Sequence, residues 1–263
     1  MTERLPERLL ASLRELARTR RLLVALDFDG TLAPEVDSPE AARALPESRD
    51  AVLRLLKMPH TRVALVSGRA LRSLEAVADL PDETLLVGSH GIEIRLDQPD
   101  DRVSLNTAEL EQVDILHEVL GEVADSIDQV WLEVKPAGFA LHTRLATEHN
   151  SRVAHLVALS EASAEVDGLT VREGKNVLEF SVRSTTKGEA VEHLRRYVAA
   201  DAVFYAGDDI TDEDAFAALL PHDVGVKSGE GTTEAAFRVA GPAEIAAVLS
   251  ALATFREGDV HEQ

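Results

Sequence analysis

The chain has 263 residues, of which 45% are hydrophobic and 28% charged, the composition of a globular protein with one large or two modest domains. Its formal net charge of −20 argues against nucleic acid or an anionic membrane surface as a partner. Because the sequence contains no cysteine, it can form neither a disulfide nor a thiolate metal site.

The first predicted element is an amphipathic helix. Leu5, Leu9, Leu13 and Leu16 recur at helical spacing among charged residues, a pattern that differs from that of a signal peptide. Farther along, no apolar run approaches the roughly 18 residues of a membrane span. We therefore expect a cytoplasmic, monomeric protein without a membrane partner.

The next element is a buried strand that ends in two carboxylates. Residues 22–26 form an unbroken apolar run, which favours a strand covered on both faces, and Asp27 and Asp29 follow it directly. Gly30 lets the chain turn sharply. Two such charges about 4 Å apart repel by roughly 4 kcal/mol at an effective dielectric constant of about 20. A bound divalent cation would relieve that repulsion; alternatively, the acids only cap a turn.

Apolar strands and amphipathic helices then alternate, which implies right-handed parallel crossovers. The fold class predicted is α/β, with a doubly wound, Rossmann-like parallel sheet. The strands are predicted at 22–26, 62–66, 84–87, 202–206 and, as the last one, 224–226. The helices are predicted at 47–57, around 71–77, 187–198 and 211–220, and the residues from Arg256 onward are expected to be frayed.

Between these elements the pattern changes to helices and antiparallel strands. We expect residues 100–183 to form an inserted α+β cap domain, and residues 1–99 and 184–263 to form the core. Two helices are predicted in the insert, at 106–124 and 147–164. Its strands are predicted at 130–135, 139–144, 169–171 and 176–182.

The core strands end in polar groups that parallel packing would gather at one edge of the sheet. Ser67 ends the second strand, and residues 207–214 contain five acids in eight positions. Most of this run could be a solvated face or could load the positive end of a helix, and a calcium loop would need glycine at its sixth position. Asp208 is predicted to join Asp27 and Asp29 in an all-oxygen cation site, and Lys187, which begins a helix, can reach the same edge.

This set of residues indicates phosphoryl transfer. Asp27 would be the nucleophile, and Asp29 would protonate the leaving oxygen and later deprotonate water. Asp27, Asp208 and the main-chain carbonyl of Asp29 would hold Mg²⁺, while Ser67 and Lys187 would hold the phosphoryl group. The sequence has no Gly-x-x-x-x-Gly-Lys-Ser/Thr motif, which excludes a P-loop enzyme.

The strand-end residues resemble, in order, the four motifs of the haloacid dehalogenase superfamily of phosphatases: Asp27-Phe28-Asp29-Gly30-Thr31-Leu32, then Ser67, then Lys187, then Gly207-Asp208-Asp209. Within it, the chain resembles the trehalose-6-phosphate phosphatases over about residues 22–240. That resemblance implies a magnesium-dependent hydrolase of trehalose biosynthesis that forms an aspartyl-phosphate and releases trehalose and phosphate. The substrate-binding residues that it implies are Arg69, Gly88, His90, Gly91, Glu133, Lys135, His142, Arg144, Lys175 and Glu179.

The insert has a polar face that can be recognised without the family. Side chains alternate along its predicted strands, so one face of the sheet is apolar and is expected to pack against the two helices; it contains Val130, Leu132, Val134, Phe139, Leu141, Leu178, Phe180 and Val182. The other face carries Glu133, Lys135, His142, Arg144, Lys175 and Glu179. The face is either a solvated surface or a sugar-binding surface. Two other functions stay open: a phosphatase for a different sugar phosphate, such as glucosyl- or mannosyl-phosphoglycerate, and a non-catalytic module of the same fold.

Overall fold

A computed structural model describes residues 5–36, 38–97, 105–174 and 176–260. The chain divides into two compact units, one made of Met1–Arg102 with Thr185–Gln263 and the other of Val103–Ser184. The second unit is therefore inserted within the sequence of the first. That it recognises the substrate is not tested by the fold and stays a prediction.

The first unit is built on a mostly parallel sheet. Within the described residues the sheet has seven strands in the order β11-β10-β9-β1-β2-β3-β4, and β4 alone among them runs antiparallel to its neighbour. The strands are β1 (Leu22–Leu26), β2 (Thr61–Val66), β3 (Leu85–Gly88), β4 (Glu93–Arg95), β9 (Ala202–Gly207), β10 (Val224–Ser228) and β11 (Phe237–Val239). Its helices are α1 (Glu7–Ala17), α2 (Pro46–Leu56), α3 (Leu71–Ala78), α6 (Lys187–Tyr197), α7 (Asp212–Ala217) and α8 (Pro242–Val260).

Both faces of this sheet are buried, as the apolar run in β1 predicts. Val24 and Leu26 pack into one hydrophobic cluster, with Leu9 and Leu13 of α1, whereas Ala25 packs into a second cluster on the opposite face. A strand covered on both sides cannot expose polar side chains along its length, so its polar residues lie at its end. The doubly wound α/β core is confirmed.

The register of the central strands brings their carboxyl ends to one edge. Leu26 of β1 pairs with Leu65 of β2 and with Ala206 of β9. Asp27 therefore follows β1 where Ser67 follows β2 and Asp208 follows β9. The main-chain N–H of Asp27 donates to the carbonyl of Ala206 at 2.9 Å, which continues the pairing up to the predicted nucleophile.

In its described residues, the second unit has a four-stranded antiparallel sheet with two helices, in the strand order β5-β6-β8-β7. Its elements are α4 (Thr107–Ser126), β5 (Trp131–Lys135), β6 (Gly138–His142), α5 (Glu148–Glu165), β7 (Thr170–Gly174) and β8 (Val177–Ser181). Phe139, Leu141, Leu178 and Phe180 pack with the helices in one cluster. The predicted apolar face is confirmed there, except that Val134, which was expected on it, is 75% exposed.

Several sequence predictions about the first unit were wrong. The strand at 224–226 is not the last one, because β11 and the 19-residue helix α8 follow it. The predicted helix at 211–220 is shorter and spans Asp212–Ala217. Strand β4 was not predicted, since three residues are too few to show an alternating pattern.

The expectation of frayed residues from Arg256 was also wrong for residues 256–260, which belong to α8; residues 261–263 lie outside the described residues. Arg256 is 5% exposed, and its guanidinium donates to the main-chain carbonyls of Ala17 at 2.7 Å and Arg20 at 3.2 Å. It also donates to the hydroxyl of Thr61 at 3.0 Å. The end of α8 is therefore fixed by hydrogen bonds to the segment between α1 and β1 and to the first residue of β2.

Among the described residues, no helix combines the length and the apolar character needed to cross a bilayer.

Candidate active site

The predicted nucleophile and the predicted lysine meet in the interior. Asp27 and Lys187 are 4% and 2% exposed, and Nζ of Lys187 lies 2.7 Å from Oδ1 of Asp27. Lys187 is the first residue of α6, whose start is fixed by a capping box between Thr186 and Glu189. This cap places the lysine at the end of the helix that approaches β1. Its buried ammonium, predicted to hold the phosphoryl group, is thereby paired with the carboxylate of the predicted nucleophile.

Asp212 has a different environment from the one expected. The sequence left it within an acidic run that could be a solvated face or could load the positive end of a helix. It does lie at the start of α7, but it is fully buried, and its Oδ1 accepts from Nζ of Lys187 at 2.7 Å. The hydroxyl of Tyr205 donates to the same oxygen at 2.5 Å. Its Oδ2 accepts from the main-chain N–H groups of Asp208 and Asp209 at 3.0 and 2.9 Å. The carboxylate of Asp212 thus holds both Lys187 and the loop that carries Asp208.

Three acids converge at this edge. Asp27, Asp208 and Asp212 each offer an oxygen atom, and these atoms lie within 4.8 Å of one another. Burial raises the pKa of Asp27 well above its ordinary value, although Lys187 acts in the opposite direction. Burial likewise raises the pKa of Asp208 to about 6, with a hydrogen bond to Asp27 opposing the shift and Asp212 adding to it. Burial alone would lower the pKa of Lys187, but Asp27 and Asp212 raise it, so this side chain stays a cation.

The chemistry of these donors fits a hard divalent cation. Carboxylate oxygens are preferred ligands of Mg²⁺. Burial raises the pKa of Asp27 and of Asp208, and the nearby carboxylate of Asp212 adds to both shifts, so a bound cation would stabilise the charged form of each acid. Gly30 allows the loop that follows β1 to lie against Asp208, in the loop that follows β9. It has a φ of +69°, and a Cβ atom there would lie 1.9 Å from Oδ2 of Asp208. A side chain at residue 30 would therefore displace the acid.

Asp29 is paired with an arginine. The guanidinium of Arg69 donates from Nε to Oδ2 of Asp29 at 2.5 Å and from Nη2 to Oδ1 at 2.6 Å. Arg69, predicted to bind substrate, thus lies beside the predicted acid. The Asp29 carboxylate is not part of the three-acid group among the described residues.

The loops after β2 and β3 are connected to each other. Ser67 is 2% exposed, and its main-chain carbonyl accepts from the N–H of His90 at 3.0 Å. Its hydroxyl accepts from the N–H of Arg69 at 3.2 Å. Gly88 ends β3, and His90 adopts a left-handed conformation with a φ of 56°. Gly91 lies beside Thr185, which precedes the cap of α6. The predicted residues of these loops therefore lie in one connected part of the first unit.

Sequence reasoning missed Lys227 and Ser228 at the end of β10. Nζ of Lys227 donates to the carbonyl of Asp208 at 2.5 Å and to that of Asp209 at 3.2 Å. The hydroxyl of Ser228 donates to the carbonyl of Gly30 at 2.7 Å. The two residues thus fix the loops that follow β9 and β1. A signal existed, because a lysine directly after the apolar run 224–226 lies at the same edge of the parallel sheet.

Four predicted residues of the second unit share the polar face of its sheet. Glu133 accepts hydrogen bonds from Nζ of Lys135 and Nε2 of His142, both at 2.8 Å. Nζ of Lys135 lies 3.9 Å from a carboxylate oxygen of Glu179. The ring of His142 also stacks on Trp131, with centroids 5.1 Å apart. This surface is a connected set of donors and acceptors rather than a row of separate solvated charges.

Two other residues predicted for this face have different outcomes. The strand expected to reach Arg144 ends at His142, so Arg144 lies beyond it, exposed, and the assignment of Arg144 to a strand face was wrong. The main-chain N–H of Thr143 still donates to the carbonyl of Asn176. The N–H of Ala146 then donates to the carbonyl of Thr143, which forms a turn that takes the chain away from the sheet. Lys175 lies outside the described residues.

Comparison with known proteins finds trehalose-phosphate phosphatases both among similar sequences and among similar solved structures. The trehalose-phosphate phosphatase of Mycobacterium ulcerans is 34% identical over an alignment of 248 residues that covers 89% of this chain and 62% of that protein. This chain therefore spans less than two thirds of the length of that relative. A solved trehalose-6-phosphate phosphatase of Aspergillus fumigatus is 27% identical with a TM-score of 0.70, covering 93% of this chain and 97% of that one.

A haloacid dehalogenase-like hydrolase from Bacteroides thetaiotaomicron shares the fold, with a TM-score of 0.60 at 15% identity, covering 88% of this chain and 98% of that one. This likeness supports the fold that the resemblance to the haloacid dehalogenase superfamily predicts. A family model described as trehalose-phosphatase matches residues 25–244, which include every strand-end residue of the site. The chain belongs to the trehalose-phosphatase family.

Proposed function

We propose that the protein hydrolyses trehalose 6-phosphate to trehalose and phosphate through an aspartyl-phosphate on Asp27. The observation that carries the proposal is the buried contact of 2.7 Å between Asp27 and Lys187 at the carboxyl edge of the sheet, in a chain of the trehalose-phosphatase family. A buried carboxylate beside a permanent cation has the arrangement of a nucleophile that must approach an anionic phosphate.

In the first step, a carboxylate oxygen of Asp27 attacks the phosphorus atom and the bond from phosphorus to the trehalose oxygen breaks. Asp29 gives its proton to that oxygen, so trehalose leaves as a neutral alcohol. The ion pair of Asp29 with Arg69 must open for this transfer, because both oxygens of the Asp29 carboxyl group are engaged by the guanidinium in this structure. Lys187 and Ser67 stabilise the charge on the transferring group.

In the second step, Asp29 takes a proton from water, and the resulting hydroxide attacks the phosphorus atom of the acyl phosphate. The bond between phosphorus and Asp27 breaks, which releases phosphate and restores the Asp27 carboxylate. One residue therefore serves as acid and then as base, and it ends the cycle protonated and ready for the next substrate.

Asp27, Asp208 and the main-chain carbonyl of Asp29 would hold Mg²⁺. When bound, the ion would neutralise charge on the carboxylates and the phosphoryl oxygens and so lower the repulsion between them. Asp212 is less suited to this task, because its two oxygens already accept four hydrogen bonds from the chain.

The polar face of the second unit supports the sugar part of the proposal. Acids such as Glu133 and Glu179 can accept from sugar hydroxyls, and Lys135 and His142 can donate to them. Trp131, stacked on His142, adds an aromatic surface to the same face. We include Lys175, Arg144 and the loop residues Arg69, Gly88, His90 and Gly91 among the proposed contacts on family resemblance alone. A cytoplasmic location stays a prediction from the sequence.

The test is phosphate release from a panel of substrates, with wild type and Asp27→Asn assayed side by side. The panel contains trehalose 6-phosphate, glucose 6-phosphate, glucosyl-phosphoglycerate and mannosyl-phosphoglycerate. We expect the highest kcat/KM for trehalose 6-phosphate and background activity for Asp27→Asn. A better kcat/KM for another sugar phosphate would overturn the substrate. A variant that keeps more than about a tenth of the wild-type rate, a loss below about 1.4 kcal/mol, would overturn the nucleophile.

A further inference from the structure

Tyr205 lies deep in the first unit and was not among the residues predicted to act on the substrate. It is the fourth residue of β9 and is fully buried. Its hydroxyl donates to Oδ1 of Asp212 at 2.5 Å. Its ring meets that of Phe216 edge to face, with centroids 5.4 Å apart at 82°. The packing fixes the ring, so the direction of the hydroxyl is fixed as well.

The oxygen that accepts from Tyr205 also accepts from Lys187. Nζ of Lys187 lies 2.7 Å from this oxygen and 2.7 Å from Oδ1 of Asp27. The four groups therefore form one buried chain of hydrogen bonds, from Tyr205 through Asp212 and Lys187 to Asp27. Asp212, Lys187 and Asp27 are ionisable groups, and Lys187 and Asp27 act in the proposed reaction. Tyr205 is the neutral end that is anchored in the hydrophobic core.

We propose that Tyr205 is a positioning residue for phosphoryl transfer, which fixes the Asp212 carboxylate so that Lys187 is held against the nucleophile. The proposal deepens the proposed function and rests on it. Without the hydroxyl, Asp212 keeps its two main-chain donors on Oδ2 but loses one of the two donors on Oδ1. The carboxylate can then rotate about the Oδ2 contacts, and Lys187 moves with the oxygen to which it is bonded.

Such a displacement affects the rate more than substrate binding. Lys187 is 2% exposed and contacts the nucleophile, so it acts where charge develops during transfer. Removal of a group that acts mainly in the transition state lowers kcat, whereas KM depends on contacts made throughout the reaction. Since hydrogen bonds to charged groups are the stronger ones in proteins, we expect a loss of about tenfold.

The experiment is Tyr205→Phe, which removes one oxygen atom and keeps the ring. Tyr197→Phe is the matched control, because the hydroxyl of Tyr197 also donates to an aspartate, Asp97, at 3.0 Å, but near the ends of α6 and β4 and on a half-exposed side chain. The readouts are kcat and KM for trehalose 6-phosphate and the inhibition constant of orthovanadate, which mimics the transferring phosphoryl group. Thermal unfolding ensures that each variant is assayed well below its Tm.

We expect Tyr205→Phe to lower kcat by about tenfold, to weaken orthovanadate inhibition by a similar factor, and to leave KM within about twofold. Tyr197→Phe should match wild type in all three. Wild-type kcat in Tyr205→Phe would overturn the proposal, as would an equal loss in both variants or a loss confined to KM. If Tyr205→Phe fails to fold, the hydroxyl is a requirement of the fold, and the positioning role is also overturned.

The two levels of the proposal fail in different ways. If wild type prefers another phosphate ester, the proposed substrate is wrong, and the same variants on that ester decide the role of Tyr205. If wild type hydrolyses none of the esters, both the function and the positioning role are wrong. If wild type hydrolyses trehalose 6-phosphate and Tyr205→Phe matches it, only the positioning role is lost.

Discussion

The ammonium nitrogen of Lys187 lies 2.7 Å from Oδ1 of Asp27, in a part of the core where both side chains are almost fully buried. A buried ion pair of this kind is a poor source of net stability, since removing two charges from water costs about as much as their attraction returns. Its presence therefore has more to do with the chemistry of Asp27 than with the fold. Each member nevertheless depends on the other once both are buried.

The first prediction follows from that dependence. Lys187→Met keeps the length of the side chain but leaves Asp27 and Asp212 without their shared cation. Breaking a buried ion pair from one side typically costs about 3–5 kcal/mol, and we expect a loss of this size in the free energy of unfolding without metal. Urea unfolding measures it. The exposed lysine variant Lys57→Met should stay within about 0.5 kcal/mol of wild type, and a similarly small change in Lys187→Met would contradict the account.

The second prediction concerns metal binding and does not depend on turnover. Because a cation that binds only the native state stabilises it, Mg²⁺ at about 100 times its Kd should add about 2.7 kcal/mol to the free energy of unfolding. The increase should be lost in Asp208→Asn and kept in Asp50→Asn, which changes an exposed acid of α2. Activity should disappear in a strong chelator and return with Mg²⁺. Full turnover by metal-free protein would be incompatible with the proposed site.

The third prediction is a pH dependence of stability in the metal-free protein. Burial raises the pKa of Asp208 from 3.8 to about 6, so between these values the native state holds a proton that the unfolded state has released. Asp208 makes its full contribution to the free energy of unfolding below about pH 4, and this contribution is lost as the pH rises through about 6. Asp208→Asn removes the titration. Its Tm should exceed that of wild type at pH 7 to 8, and the difference should shrink towards pH 4.

This interpretation would be contradicted if the Tm of wild type, compared with the Tm of Asp208→Asn, increased between pH 4 and pH 6. Asp27 contributes in the same direction, since burial raises its pKa too. The decline in wild type should therefore be larger than the part that Asp208→Asn removes. Asp50→Asn serves again as the control and should follow the wild-type curve.

The fourth prediction separates sugar recognition from phosphate chemistry. Glu133→Ala, Lys135→Ala and Glu179→Ala should each lower kcat/KM for trehalose 6-phosphate by about tenfold or more, the typical effect of losing a hydrogen bond to a charged group. A small aryl phosphate lacks the sugars, so its kcat/KM should stay within a fewfold. Glu161→Ala, an exposed position on α5, is the matched control. Equal losses on both substrates would mean that the three residues support the fold, and no loss on either would make the face a solvated surface.

Much of this site was predictable because it depends on local pattern. An apolar run such as residues 22–26 must be a buried strand, and parallel strands place the residues that follow them at a common edge. This reasoning brought Asp27, Ser67, Lys187 and Asp208 together from positions up to 181 apart in the sequence. The alternation in the second unit likewise separated Glu133, His142 and Glu179 from the apolar face.

The errors concern residues whose role depends on tertiary contacts. Asp212 has the sequence context of a helix-start acid, and only the packing of α7 against α6 and β9 buries it beside Tyr205 and Lys187. Arg256, near the end of the chain, is held by carbonyls more than 190 positions away, a relation that no local window contains. Val134 has the predicted place in the alternation of β5, which is an edge strand of the sheet, yet its side chain is 75% exposed.

The most direct test of the central claim is to trap the covalent intermediate. Wild-type protein is mixed with trehalose 6-phosphate and Mg²⁺ and quenched with borohydride, which reduces an acyl phosphate to an alcohol, and the peptide that contains residues 22–32 is analysed by mass spectrometry. The account predicts that Asp27 is converted to homoserine only when the substrate is present, while Asp29 in the same peptide is unchanged. An unmodified Asp27 under conditions of continuing phosphate release, or a modified Asp29, would contradict it.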